Sequence, residues 1–243
     1  MNSAIINNQN SKITSINKQL RELYVNHIDG LNTMYGQLES HNIRNYTAPY
    51  LIHIWEDEYL KAAKKVMIIG QETNEWNDIC VRSGQDVDEV ITTYKDFDYG
   101  SNYHTPFWKY VEIINKMING DDTPYNHSVV VNNINKFGKG DGNGRPDGLV
   151  TQFENKYFNV LRDEMRIVQP DACIFLTGPD YDDDIRQKFP NASFSPVEGY
   201  ETRELARVSA AGLPLAFRTY HPGFGQRCSE WYEQVLSTIV NVI

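Results

Sequence analysis

Val66-Met67-Ile68-Ile69-Gly70-Gln71-Glu72-Thr73-Asn74 decides the fold. Its first four residues are all apolar, with no alternation, and they stop at a glycine followed by amide and acid side chains. So short a continuous run fits a strand covered on both faces, as parallel sheets are. Three further runs share this character: Val129-Val130-Val131 before Asn132, Cys173-Ile174-Phe175-Leu176 before Thr177-Gly178, and Leu215-Ala216-Phe217 before Arg218. Stripes at helical spacing lie between and after them. Phe107, Tyr110, Val111, Ile114 and Ile118 form one; Phe153, Tyr157, Leu161, Met165 and Val168 form another. Trp231, Tyr232, Val235, Leu236 and Ile239 form a third. Strands alternating with helices predict a three-layer α/β/α fold around a central, mainly parallel four-stranded sheet with right-handed crossovers.

Upstream, Ile13, Ile16, Leu20, Leu23 and His27, then Ile28, Leu31, Tyr35 and Leu38, predict one or two amphipathic helices whose seam packs on its own domain, pairing with another subunit being the alternative. A turn at Pro49 leads to a helix over about 55–64, and the Asn/Ser-rich first dozen residues read as loose. The expected organisation is a helical N-terminal extension over 1–45 and one α/β domain over 46–243, with no internal repeat.

Composition narrows the function classes. With 40% hydrophobic and 23% charged residues, the chain is of ordinary globular type. Its net charge of −9 argues against broad attraction to nucleic acid, because phosphate binding needs a positive surface. Cys80, Cys173 and Cys228 are too few for a four-cysteine iron–sulfur or zinc site, and their wide spacing fits reduced thiols. Without a transmembrane-length apolar run or a leader-like start, the expectation is a cytoplasmic protein that does not enter membranes.

In open parallel sheets the chemistry collects beyond the carboxyl ends of the strands. Four polar segments follow the four runs: 70–74, Asn132-Asn133, 177–181, and Tyr220-His221-Pro222-Gly223. Glu72, just past a buried strand, can orient water, act as a general base or stabilise a cationic transition state; capping a turn or pairing with a cation is the alternative. Gly70 permits close backbone approach. Asn132 and Asn133 each offer the donor and acceptor that read an amide-like base edge, or that satisfy a loop backbone. His221, restricted by Pro222, can donate a hydrogen bond to charge developing on a leaving group, or serve structure. Lys136, Lys139, Arg145, Arg203, Arg207, Arg218 and Arg227 would line a groove on this rim, or form a mixed solvated surface with Asp180, Asp182, Asp183 and Asp184.

Taken together, VMIIGQETNEW, VVVNN and TYHPGFGQR resemble the uracil-DNA glycosylase superfamily, in matching order over about residues 66–227. The likeness is to divergent branches with a GQETN-type first motif. It implies that Gly70, Gln71 and Glu72 occupy the first motif's Gly-Gln-Asp positions, with Glu72 as the water-orienting, cation-stabilising carboxylate. Asn132 would read the base, with Asn133 its close competitor. His221 would stabilise the departing uracil anion. Asn74 joins the substrate-binding set, and Phe224 is a wedge candidate or a loop anchor. The implied partner is DNA, or a nucleotide, carrying a modified base, which would leave the stack to enter the pocket. The implied reaction is hydrolysis of its N-glycosidic bond, with no metal or organic cofactor. Thr73-Asn74 stands where the family has Pro-Tyr, and the second motif has lost its serine and leucine. Trp76, Tyr103, Phe107 and Trp108 are candidates for the aromatic that stacks on the base, helix packing being the other role of the last two. The rival readings are non-catalytic binding on the same fold and a small-nucleoside N-glycosidase.

Overall fold

The computed structural model describes residues 14–101, 105–120, 126–142 and 144–243. The first dozen residues, Ile13 and Tyr103 lie outside them. Among the described residues six strands form one mixed sheet. Four are the expected runs, parallel to one another: β1 (Val66–Gly70), β2 (Val129–Asn133), β3 (Ala172–Leu176) and β6 (Leu215–Thr219). These four lie in the order β2-β1-β3-β6. Every residue of β1, β2 and β3 is buried, so both faces of the central sheet are covered.

The sheet has six strands rather than the expected four. β4 (Ser193–Pro196) and β5 (Leu205–Ser209) pair antiparallel and extend it beyond β6. β4 is short and mostly exposed, and β5 alternates only over its last residues, so neither carries a continuous apolar run. The opposite edge, β2, is finished by tyrosines. Tyr94 Oη donates to Val131 O at 2.8 Å and Tyr99 Oη to Val129 O at 3.1 Å. These hydroxyls satisfy carbonyls that would otherwise leave an open strand edge.

The N-terminal stripes become α1 (Ile16–Val25) and α2 (Ile28–Ser40), which pack on α7 (Leu161–Val168) and α6 (Gly148–Tyr157). Leu20, Tyr24, Leu31 and Leu38 belong to the same hydrophobic core as the strands. The 153–168 stripe is thus two helices broken at 158–160, and the helix expected over 55–64 shortens to α3 (Glu56–Tyr59). A further helix, α4 (Gly84–Phe97), starts at a capping box. Ser83 Oγ accepts from Asp86 N, and Asp86 Oδ2 accepts from Ser83 N. α5 (Pro106–Asn119) opens with proline at its first position and packs on α9 (Ser229–Val240). α8 (Asp182–Lys188) follows β3. Among the described residues no helix is long and apolar enough to cross a membrane.

Two buried ion pairs pin the loop after β2. Lys136 Nζ lies 2.6 Å from Glu164 Oε2, and Lys188 Nζ lies 2.5 Å from Glu154 Oε1. Glu154 Oε2 also accepts from the Lys136 backbone N–H, so one carboxylate ties α6, α8 and that loop together. A buried pair of this kind is costly to break from one side, since the surviving charge has no water to turn to.

Candidate functional site

The strand order reverses between β1 and β3, the point where open α/β sheets form a ligand crevice. Here Gln71 Nε2 donates to Thr177 O at 2.7 Å, tying the segment after β1 to the one after β3. A cleft of about 800 Å³ opens beside it. Gly70, Gln71, Glu72, Asn74, Asn133 and His221 all contribute to its wall, so polar segments following β1, β2 and β6 do converge. Trp76, Phe107 and Trp108 supply its aromatic surface.

Gly70 sits where a side chain would not fit. A Cβ there would lie 2.6 Å from Asn133 Oδ1 and 3.0 Å from Phe107 Cζ. The glycine therefore lets the Asn133 amide and the Phe107 ring approach the strand end.

The two asparagines separate because successive strand residues point to opposite faces. Asn133 lines the cleft. Asn132 is fully buried on the other side, where its Nδ2 donates to Glu164 Oε2 at 2.9 Å and its Oδ1 accepts from Lys136 Nζ at 2.5 Å. Its amide is engaged in holding the buried ion pair, and it is absent from the cleft wall.

Glu72 is half-buried, and the Tyr181 hydroxyl reaches both of its carboxylate oxygens, at 2.7 and 2.9 Å. Burial raises the Glu72 pKa above the usual carboxylate value, while the Tyr181 hydrogen bond and the Arg145 charge oppose that rise.

His221 is held neutral. Burial pushes its pKa down to about 4. Its Nδ1 accepts the Gly223 backbone N–H at 3.0 Å, which leaves the proton on Nε2. The imidazole lies parallel to the Phe107 ring, 5.5 Å between centroids, and its backbone carbonyl accepts from Tyr232 Oη at 2.7 Å. A neutral Nε2–H donor is suited to charge that develops on a leaving group and needs no proton transfer.

Phe224 is not part of the cleft wall. Its ring stacks on Tyr220 at 4.6 Å, anchoring the loop after β6. The basic groove does not form either. Lys136 and Arg218 are buried, and Arg218 makes a two-pronged pair with Asp182. Arg145 pairs with Asp184, Arg227 with Glu204, and Lys139 and Arg203 approach Asp141 and Asp180 at 3.6 Å. Arg207 lies on an exposed position of β5. Among the described residues the cleft wall holds Glu72, Glu75 and Asp96 but neither lysine nor arginine.

Two groups meet at Glu72 that the sequence pattern does not place there: Arg145 reads in sequence as a groove candidate, and nothing in the spacing of Tyr181, in the segment after β3, aims its hydroxyl at Glu72. Arg145 precedes α6 in a Gly/Asp-rich loop, and its guanidinium lies 3.7 Å from the Tyr181 ring centroid. Among the described residues no cluster of histidine, cysteine and acidic side chains forms a metal site. Comparison of the chain with protein-family models and with curated proteins gives no significant match.

Proposed function

We propose that this chain is an N-glycosidic bond hydrolase of the uracil-DNA glycosylase type, taking a nucleobase into the cleft at the ends of β1, β2 and β6. The observation that carries the reading is the sharing of one cleft by Glu72, Asn133 and a neutral His221. These are the side chains such a reaction calls for, and they come from segments distant in sequence. In this account the ionised Glu72 orients a water and stabilises positive charge on the sugar as the C–N bond lengthens. The bond's electron pair leaves with the base as an anion, the water's oxygen bonds to the anomeric carbon, and the water's proton passes to Glu72 and from there to solvent. His221 Nε2–H donates to the oxygen on which that charge collects. Asn133 offers a donor and an acceptor to the amide-like edge of the base, a role the structure's wall position favours for it over Asn132. The four parallel strands fit the central sheet of a three-layer α/β/α fold.

By the resemblance, the substrate is uracil or another damaged base in DNA. A specific observation favours a second reading, a small-nucleoside N-glycosidase. The described cleft wall carries three carboxylates, neither lysine nor arginine, and a neutral histidine, whereas a duplex backbone calls for cations. The test is base release from uracil-, hypoxanthine- and xanthine-containing oligonucleotides, single- and double-stranded at low salt, beside the free nucleosides. Release from oligonucleotides alone assigns DNA; release from nucleosides alone assigns the second reading. Release from neither by a folded protein would leave non-catalytic binding on this fold as the better account.

A further inference from the structure

Glu72 is surrounded by groups from four separate parts of the chain. Tyr181 comes from the turn after β3 and Arg145 from the loop before α6. Asp184 comes from α8, and Asn135 from the segment after β2. Tyr181 itself is 6% exposed and is gripped from behind. The Arg145 guanidinium covers its ring at 3.7 Å, and Arg145 is fixed in turn by Asp184 Oδ1 and Oδ2 at 2.9 and 2.8 Å and by Asp180 O at 2.9 Å. An ordered cation on the ring face withdraws electron density from the phenol, which strengthens its O–H as a donor.

From this geometry we infer that Tyr181 is a positioning residue, whose single hydroxyl spans both oxygens of Glu72 and holds the carboxylate ionised and in one orientation toward the cleft. Arg145 and Asp184 act as its buttress. The role in catalysis rests on the proposed function, but the control of Glu72 does not. Without Tyr181, burial would act on Glu72 with less opposition, and the carboxyl would spend more of its time protonated near neutral pH. Burial and the adjacent carboxylate also raise the tyrosine's own pKa, so it stays an obligatory donor across the working range.

The experiment is a carboxyl carbon-13 NMR titration of Glu72 in the full chain, assigned with Glu72→Gln, for wild type and Tyr181→Phe. A hydrogen bond to a charged group corresponds to about one to two pH units, so the Glu72 midpoint should rise by that much in the variant. An unchanged midpoint overturns the inference. Should Tyr181→Phe fail to fold, the wild-type protein still decides the matter. The Tyr181 Cζ resonance is expected to move with the same midpoint as Glu72, and a flat Cζ trace across that midpoint would refute the link. Where activity is found, Tyr181→Phe should lower kcat about tenfold with KM within about twofold, and move the acid limb of the kcat profile upward. An absence of activity in every form, together with the midpoint shift, would count against the proposed function and leave this inference standing.

Discussion

The imidazole of His221 and the phenyl ring of Phe107 lie nearly parallel, 8° apart and 5.5 Å between centroids, although 114 positions separate them along the chain. The contact joins the first turn of α5 to the loop after β6, and both rings line the cleft. It also explains the protonation state. An apolar ring on one face and a backbone N–H on Nδ1 leave little room for hydration of an imidazolium.

A pH dependence of stability follows. The folded pKa of His221, about 4, lies below its ordinary value of 6.5, so below pH 6.5 the unfolded chain binds the proton more readily. Stability attributable to this group is fully present above pH 6.5 and is lost as pH falls toward 4, with a ceiling of about 3 kcal/mol. Urea denaturation of wild type and His221→Gln at pH 7 and pH 4.5 measures it. The difference in stability between the two proteins should shift in favour of the variant at the lower pH.

Gly70→Ala would thrust a methyl group to within 2.6 Å of Asn133 Oδ1 and 3.0 Å of Phe107 Cζ. We expect a loss of about 1–3 kcal/mol in stability from overpacking. A larger proportional loss of ligand binding or activity should accompany it, because both displaced groups line the cleft. Thermal melts beside binding measurements separate the two effects.

Lys136, a candidate for the rim by sequence, is instead the buried partner of Glu164. Lys136→Met should cost about 3–5 kcal/mol by stranding that carboxylate. Lys136→Met combined with Glu164→Leu should recover part of the loss, which a double-mutant cycle in urea would detect. A rim lysine would show neither effect.

The tyrosines that finish β2 give a further test. Tyr94→Phe removes the donor to Val131 O and should destabilise by about 1–2 kcal/mol. Amide exchange at β2 is expected to accelerate more than exchange at β3, because only β2 loses a partner.

How far the sequence announces these features depends on where the determining partner lies. β1, β2, β3 and β6 are legible because burial on both sheet faces, complete but for Leu215 at the start of β6, demands unbroken apolar runs, and that demand is written locally. β4 and β5 are hidden because an edge hairpin with exposed positions need not be apolar. α4 left a readable sign in Ser83, Asp86, Val87, Val90 and Tyr94, a capping box followed by helical spacing. The division of the 153–168 stripe was concealed because Phe153, Tyr157 and Leu161 keep their four-residue spacing through the break. Within the site, the strand-end rule brings Gly70, Glu72 and His221 together without any contact information. The choice between Asn132 and Asn133 required the register, since one step along β2 exchanges cleft for core. Nor could spacing report that Phe224 stacks on Tyr220 or that Tyr181 reaches Glu72. The first is settled by how the loop after β6 folds back on itself, the second by two loops meeting in space.

The proposed function rests on Glu72 and a neutral His221 acting together on an N-glycosidic bond. The most direct measurement is base release by wild type, Glu72→Gln and His221→Ala, from uracil-containing oligonucleotides and from free nucleosides, with folding checked by circular dichroism. The account predicts release by wild type and a loss of at least about a hundredfold in each folded variant. Full activity in both variants, or no release of any base by the folded wild type, would contradict it.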